Sequence, residues 1–221
     1  CRRPGVLVSV EISNPDLGAD VAILARPQDQ DVSGLDSRAD ATRTRLFGVE
    51  APAINVVYVI RCGGAMMEFL DPVRRELTRS ILRLRDGQRF AVLFINSGRA
   101  KEVPSAALVQ ATVDNKRRAV EAISKVQAYG SASVIPAIER AFEILADAPD
   151  DGEAKAIFLL MSGDFVDNEK AIALIRKLNA GKKVSVNTIL LQFSNPEASA
   201  LLRKIAEENG GQFKFVILPE D

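Results

Sequence analysis

Histidine is absent from this chain and cysteine nearly so, with Cys1 and Cys62 the two present. Together these gaps remove a histidine general base, zinc-finger ligand spacing and a disulfide framework. Any bound metal would have to rest on oxygen ligands. Net charge is missing too: Lys+Arg and Asp+Glu number 29 each, so no overall field draws the chain to nucleic acid or to an anionic membrane. No apolar run approaches the ~20 residues that span a bilayer, and no cleavable signal pattern is present. The compartment is left unspecified. Beginning at Cys1 rather than Met, the chain is expected to be a trimmed or processed product, or part of a longer membrane-anchored one, and a lipidated amino-terminal cysteine stays open as the lesser alternative.

What is present is apolar matter in short, regular doses. The 221 residues are 47% hydrophobic, enough for one sizeable domain plus an extension. Val56–Ile60, Phe90–Ile95, Ala156–Met161, Val184–Leu191 and Gln212–Ile217 are strand candidates with little polar alternation, as expected of strands covered on both faces. Between them run helical stripes: Val73, Leu77, Ile81 and Leu84; Val120, Ile123 and Val126; Ile138, Phe142 and Leu145; Ile172, Ile175 and Leu178; Leu202 and Ile205. The alternation predicts an α/β fold, a doubly wound and mostly parallel sheet with helices on both faces and right-handed crossovers. In such sheets ligands sit outside the carboxyl ends of the strands. Asp71-Pro72 and Asn195-Pro196-Glu197 predict helix starts, and Asn209-Gly-Gly211 a left-handed stop. Ser97–Asn115 fits no helix and is expected to hold a short antiparallel edge strand near Pro104.

The amino-terminal part differs in texture. Val6–Ile12 and Val21–Leu24 look like strands, and Arg26–Arg45 reads as a polar linker. The expected organisation is an extension over 1–45 and a domain over 46–221.

From Leu46 to Leu218 the order of elements and the local wording resemble the von Willebrand factor type A domain, in particular its bacterial versions. The phrases that carry the resemblance are Phe47-Gly-Val-Glu-Ala-Pro52, Leu77-Thr-Arg-Ser-Ile-Leu-Arg-Leu84, Gln88-Arg-Phe-Ala-Val-Leu-Phe94, Ile157-Phe-Leu-Leu-Met-Ser-Gly-Asp164 and Leu202-Arg-Lys-Ile-Ala-Glu-Glu-Asn-Gly-Gly211. The resemblance implies a metal-ion-dependent adhesion site: D-x-S-x-S after the first strand of the domain, a later Thr, and the Asp of a T-D-G turn. Hydroxyls and carboxylates in that arrangement suit Mg²⁺, a hard ion that prefers oxygen. The matching positions here are Arg61, Gly63, Ala65, Ala132 and Ser162, so both carboxylates are missing and a permanent cation stands at the first. Ser131 or Ser133 would stand in for the Thr if the register slips by one residue. The site is expected to be degenerate, with no metal and no cofactor.

Arg61 has two readings: a loop residue that meets solvent or pairs with Asp164, or a built-in cation that offers its fork to a partner's carboxylate. Cys62 is read as packing. A thiol phosphatase would need Arg where Glu68 stands, and no histidine is available as base. Gly63-Gly64 matches neither a phosphate-binding loop nor a dinucleotide fingerprint. Met66, Met67, Phe69 and Leu70 either cap the sheet edge or form a partner-binding patch. Arg74, Arg75 and Arg79, like Lys116-Arg117-Arg118, are expected on solvated helix faces. Asp164, Asp167 and Glu169 do not match a calcium loop, and Asp167-Asn168 reads as a helix cap.

The resemblance therefore implies a non-enzymatic protein-protein interaction module, with Arg61, Met66, Met67, Phe69, Ser131, Ser133 and Asp164 as candidate contacts for another protein. A structural unit that self-associates through its amino-terminal strands is the alternative from a different class. A metal-dependent adhesion domain follows if the register of the site is shifted.

Overall fold

A computed structural model of the chain describes residues 42–96, 100–131, 133–149, 152–162, 168–192 and 195–218. Val6–Ile12, Val21–Leu24, Ala132, Asp164 and Asp167 lie outside them.

Two short strands come first, β1 (Arg43–Leu46) and β2 (Val49–Pro52), paired as an antiparallel hairpin. The expected linker thus ends sooner than its composition implied, and β1 crosses the expected boundary at 45/46. The turn is Phe47-Gly48, both at positive φ (48° and 75°), which is the primed geometry that matches strand twist. Arg43 and Arg45 face out while Thr44 and Leu46 are buried, an alternation of period two within four residues. Gln88 holds the hairpin to the body, its Nε2 donating to the Ala53 carbonyl at 2.6 Å and to Thr44 Oγ1 at 3.1 Å.

Next come β3 (Asn55–Arg61), a 3₁₀ segment (Gly64–Phe69), α1 (Leu70–Arg83), β4 (Arg89–Ile95), β5 (Ala100–Val103), β6 (Val109–Gln110) and α2 (Val113–Ser124). They are followed by α3 (Ile135–Ala146), β7 (Lys155–Ser162), α4 (Asn168–Leu178), β8 (Val184–Leu191), α5 (Pro196–Glu208) and β9 (Phe213–Val216). The sheet runs β5-β4-β3-β7-β8-β9, with β3, β4, β7, β8 and β9 parallel, and with β5 and β6 both antiparallel to β4 at one edge. The doubly wound sheet and its antiparallel edge strand are as expected. Val113–Asn115, assigned to the non-helical segment, is instead the first turn of α2, capped by the Thr112 side chain.

Alternate residues of each central strand feed two separate cores. Tyr58, Ile60, Phe94, Phe158 and Leu160 pack with α1, α2 and the hairpin, whereas Val57, Val59, Leu93, Leu159 and Met161 pack with α3, α4 and α5. Burial on both faces is why these strands read as unbroken apolar runs. Among the described residues no helix is long and apolar enough to cross a membrane.

Helix ends follow the sequence signals in part. Asn195 Oδ1 accepts from the Glu197 and Ala198 amides at 2.8 and 3.3 Å, and Gly210 stops α5 at φ +64°. Gly211 passes so near β8 that a Cβ would lie 2.0 Å from the Val186 carbonyl oxygen. Asp71 does not cap α1: the helix continues directly from the 3₁₀ segment, and Asp71 sits in its first turn, 2.6 Å from Arg74. Two cations expected on solvated faces act as ties instead. Arg74 is half-buried and donates to the Val126 carbonyl, and Lys116 donates to the Leu84 carbonyl just beyond α1.

Within the first core, Tyr58 is fully buried, stacks on Phe158 at 5.8 Å and shares a 2.8 Å hydrogen bond with the buried Ser80 hydroxyl. Tyr58→Phe should lower the unfolding free energy by about 1 to 2 kcal/mol, because it strands Ser80 Oγ without a partner. Adding Ser80→Ala should recover most of that loss in urea denaturation. Additive losses would show that the hydroxyl pair is not the cause.

Candidate functional site

The order of strands reverses between β3 and β7, since the chain leaves β3 toward β4 and later returns on its other side. Such a reversal opens a crevice at the carboxyl ends of the two strands. Arg61 and Ser162, the last residues of β3 and β7, border it.

Residues 55–60 of β3 are completely buried, and Arg61 is the first to emerge. Its Nη1 donates to the Ser162 carbonyl at 3.1 Å, and its Nη2 reaches Ser131 Oγ at a longer 3.5 Å. The guanidinium therefore bridges the crevice and touches the loop that follows α2. That loop is fastened to the end of β3 by two backbone bonds, Tyr129 N–H to Cys62 O (3.1 Å) and Gly64 N–H to Gly130 O (2.9 Å). Gly130 takes φ +67°, and the loops approach closely enough that a Cβ on Gly63 would stand 3.3 Å from the Gly130 carbonyl oxygen, a tight contact that a small shift relieves.

The fold thus brings Arg61, Gly63, Ser131 and Ser162 together, with Ala65 exposed on the 3₁₀ segment. Ser133 Oγ accepts from the Ile135 amide at 3.2 Å where α3 begins. Ser162 is 1% exposed and its Oγ has no hydrogen-bond partner among the described residues. The apolar cluster divides: Met66 and Leu70 are buried in the first core, Phe69 packs against it, and Met67 is left 66% exposed. Cys62 is buried as expected. Burial pushes its thiol up to about 12, against a smaller opposing effect of the Arg74 charge, so it stays protonated at neutral pH.

Tyr129 is the residue that sequence reasoning passed over. It is 48% exposed on the loop that is clipped to the end of β3 through its own backbone amide. The one available signal was an aromatic directly before Gly130 in a connection that opens at a carboxyl edge.

The donor set is simple to state. Among the described residues no three His, Cys, Asp or Glu side chains cluster. The groups that the described residues bring to the crevice include the Arg61 guanidinium, the Ser131 hydroxyl and the Ser162 carbonyl.

A buried hydroxyl without a partner is a cost of about 1 to 3 kcal/mol. Ser162→Ala should accordingly leave the unfolding free energy unchanged or raise it by about 1 kcal/mol. A clear loss on denaturant unfolding would mean that Oγ is bonded in solution.

No protein-family model matches the chain. It is 26% identical over 171 residues to the human von Willebrand factor A domain-containing protein 3A, a match that covers 76% of this chain and 14% of that protein. A von Willebrand factor type A structure from Catenulispora acidiphila superposes with a TM-score of 0.63 at 22% identity, over 77% of this chain and 40% of that one. The pilus adhesin SpaC from Lactobacillus rhamnosus GG superposes with a TM-score of 0.62 at 9% identity, over 74% of this chain and 28% of that one. The chain spans less than half the length of each of these proteins. With its parallel sheet, its helices on both faces and these neighbours, the chain carries a domain of the von Willebrand factor type A fold.

Proposed function

We propose that this domain is a non-enzymatic protein-interaction module that meets its partner through the loops at the carboxyl edge of the sheet, and that it does so without a divalent cation. The observation that carries the reading is the Arg61 guanidinium, which lies across the crevice on the Ser162 carbonyl and Ser131 hydroxyl. A divalent ion there would meet a fixed positive charge and only neutral oxygens from the described residues, whereas Mg²⁺ or Ca²⁺ requires carboxylate oxygen to offset its desolvation.

The surface itself favours protein recognition. Met67 and Tyr129 are exposed on the two loops that border Arg61, and Arg, Tyr and Met are the residue types enriched where proteins meet. The likeness to a pilus adhesin agrees with such a role. Two common catalytic groups are missing from the same place: the chain has no histidine to act as base, and the Cys62 thiol is buried and protonated.

A ligand that binds the folded state raises its stability by about 2.7 kcal/mol at a hundredfold excess over Kd. Melting curves with millimolar Mg²⁺, Mn²⁺ and Ca²⁺ should therefore superimpose on the metal-free curve, and calorimetric titration should show no saturable heat. A melting temperature that rises with one of the three ions would remove the metal-free part of the proposal.

A further inference from the structure

We infer that the helix pair α1 and α2 carries a second interaction surface, and that the groove between the two helices receives an acidic, partly apolar segment of a partner protein. This surface is separate from the loops at the carboxyl edge and stands or falls independently of them.

Charge is not spread evenly over the chain. Bases and acids balance overall, and they balance again among α3, α4 and α5 taken together. On α1, however, Arg74, Arg75, Arg79 and Arg83 outnumber Asp71 and Glu76, and on α2 Lys116, Arg117 and Arg118 outnumber Asp114 and Glu121. The helices on this face of the sheet therefore present a local positive potential that the chain as a whole does not have.

Ties at both ends build the groove. Arg74, near the start of α1, donates to the Val126 carbonyl beyond α2, and Lys116, in the first turn of α2, donates to the Leu84 carbonyl beyond α1. The helices are thereby held antiparallel, with a hollow of about 280 Å³ between them. Arg75, Thr78 and Arg79 line it from α1, and Val120 and Ser124 from α2. Arg75 has no ion pair or hydrogen bond among the described residues. Arg79 is two-thirds exposed and meets Glu76 at 3.6 Å, a surface pair of little strength, while Glu76 also accepts from the Phe47 amide. Arg75 and Arg79 are neighbours one turn apart, so the two like charges repel, and a carboxylate laid beside them offsets that repulsion.

Apolar contact lies along the same line. Val120 is half-buried in the groove, and toward its other end Leu82 is 55% and Val113 82% exposed, both next to the Lys116 tie. Arg75 and Leu82 stand seven residues apart on α1, about 10 Å. A matching segment sets an acid and an apolar side chain at that separation, as residues i and i+7 of a helix do.

The pattern favours a protein as the occupant. Asp71, Glu76, Asp114 and Glu121 are interspersed among the bases, which opposes a uniformly anionic surface and suits a partner whose charges are placed one by one. No aromatic side chain lines the groove, as the stacking of nucleic-acid bases would require.

The test selects a random peptide library on the intact chain and, in parallel, on its Arg75→Glu/Arg79→Glu variant. Peptides recovered on the wild type alone should carry an acid and an apolar residue at a recurring separation, and should bind the wild type at least about tenfold more tightly than the variant. Leu82→Ser/Val113→Ser should weaken them about threefold or more. Lys177→Glu/Lys204→Glu makes the same change of net charge on α4 and α5, and should leave them within about twofold. Every substituted side chain is exposed, and melting curves confirm that each variant is folded.

Identical peptide sets on wild type and Arg75→Glu/Arg79→Glu, groove-dependent peptides without an acid, or an equal loss on Lys177→Glu/Lys204→Glu overturn the inference. A library that yields only peptides sensitive to Met67→Ser overturns it too, and leaves the carboxyl-edge reading standing. Phosphatidylserine-containing vesicles, single-stranded DNA and the chain itself are the other probes. If Arg75→Glu/Arg79→Glu abolishes binding to either polyanion, or self-association, and no acidic peptide is recovered, the occupant is not an acidic protein segment and the inference falls.

Discussion

The structure depends on the complete burial of β3. Flanked by β4 and β7 and covered by a core on each face, this strand has no exposed side chain before Arg61. Two consequences follow from that one constraint. The strand must be apolar throughout, which sets the alternation of short apolar runs and amphipathic helices along the chain. Polar function is then displaced to the strand ends, where the chain reverses direction around β3 and leaves a crevice. Arg61 and Ser162 stand at that edge as the last residues of their strands.

A guanidinium at this place alters what the crevice can do. A bound cation would need several oxygen ligands and could be lost to a chelator, whereas an arginine is permanent, planar and directional. The Ser162 carbonyl and Ser131 hydroxyl orient it, and Gly63 and Gly130 let two loops close around it without side chains of their own.

Much of this was legible in the residues, and the exceptions have physical causes. The central strands and helices announce themselves because double burial and helical stripes leave strong patterns, and Asn195-Pro196 or Gly210 act through neighbouring backbone atoms. The hairpin was hidden because four-residue strands give only two alternations, and its outward face carries Arg43 and Arg45. Arg74 and Lys116 were misread because their carbonyl partners lie far off in sequence, at Val126 and Leu84. Met66 and Met67 are neighbours in sequence, yet the 3₁₀ segment sends one to the core and leaves the other exposed, which no composition reveals. Arg61 was visible as an oddity in a familiar frame. Tyr129 was not, because its importance comes from the backbone bond that seats it beside Cys62.

On the proposed reading, Arg61 occupies the place of a cation. Reversing the exchange tests it most directly: Arg61→Asp, Gly63→Ser, Ala65→Ser and Ser162→Asp together, melted with and without Mg²⁺ and Mn²⁺ beside the unaltered chain. Gly63→Ser asks only that the Gly130 carbonyl, 3.3 Å from the new Cβ, yield slightly. The quadruple variant should gain a saturable, cation-dependent rise in melting temperature while the unaltered chain shows none. A rise in the unaltered chain, or a folded variant indifferent to both ions, would contradict it.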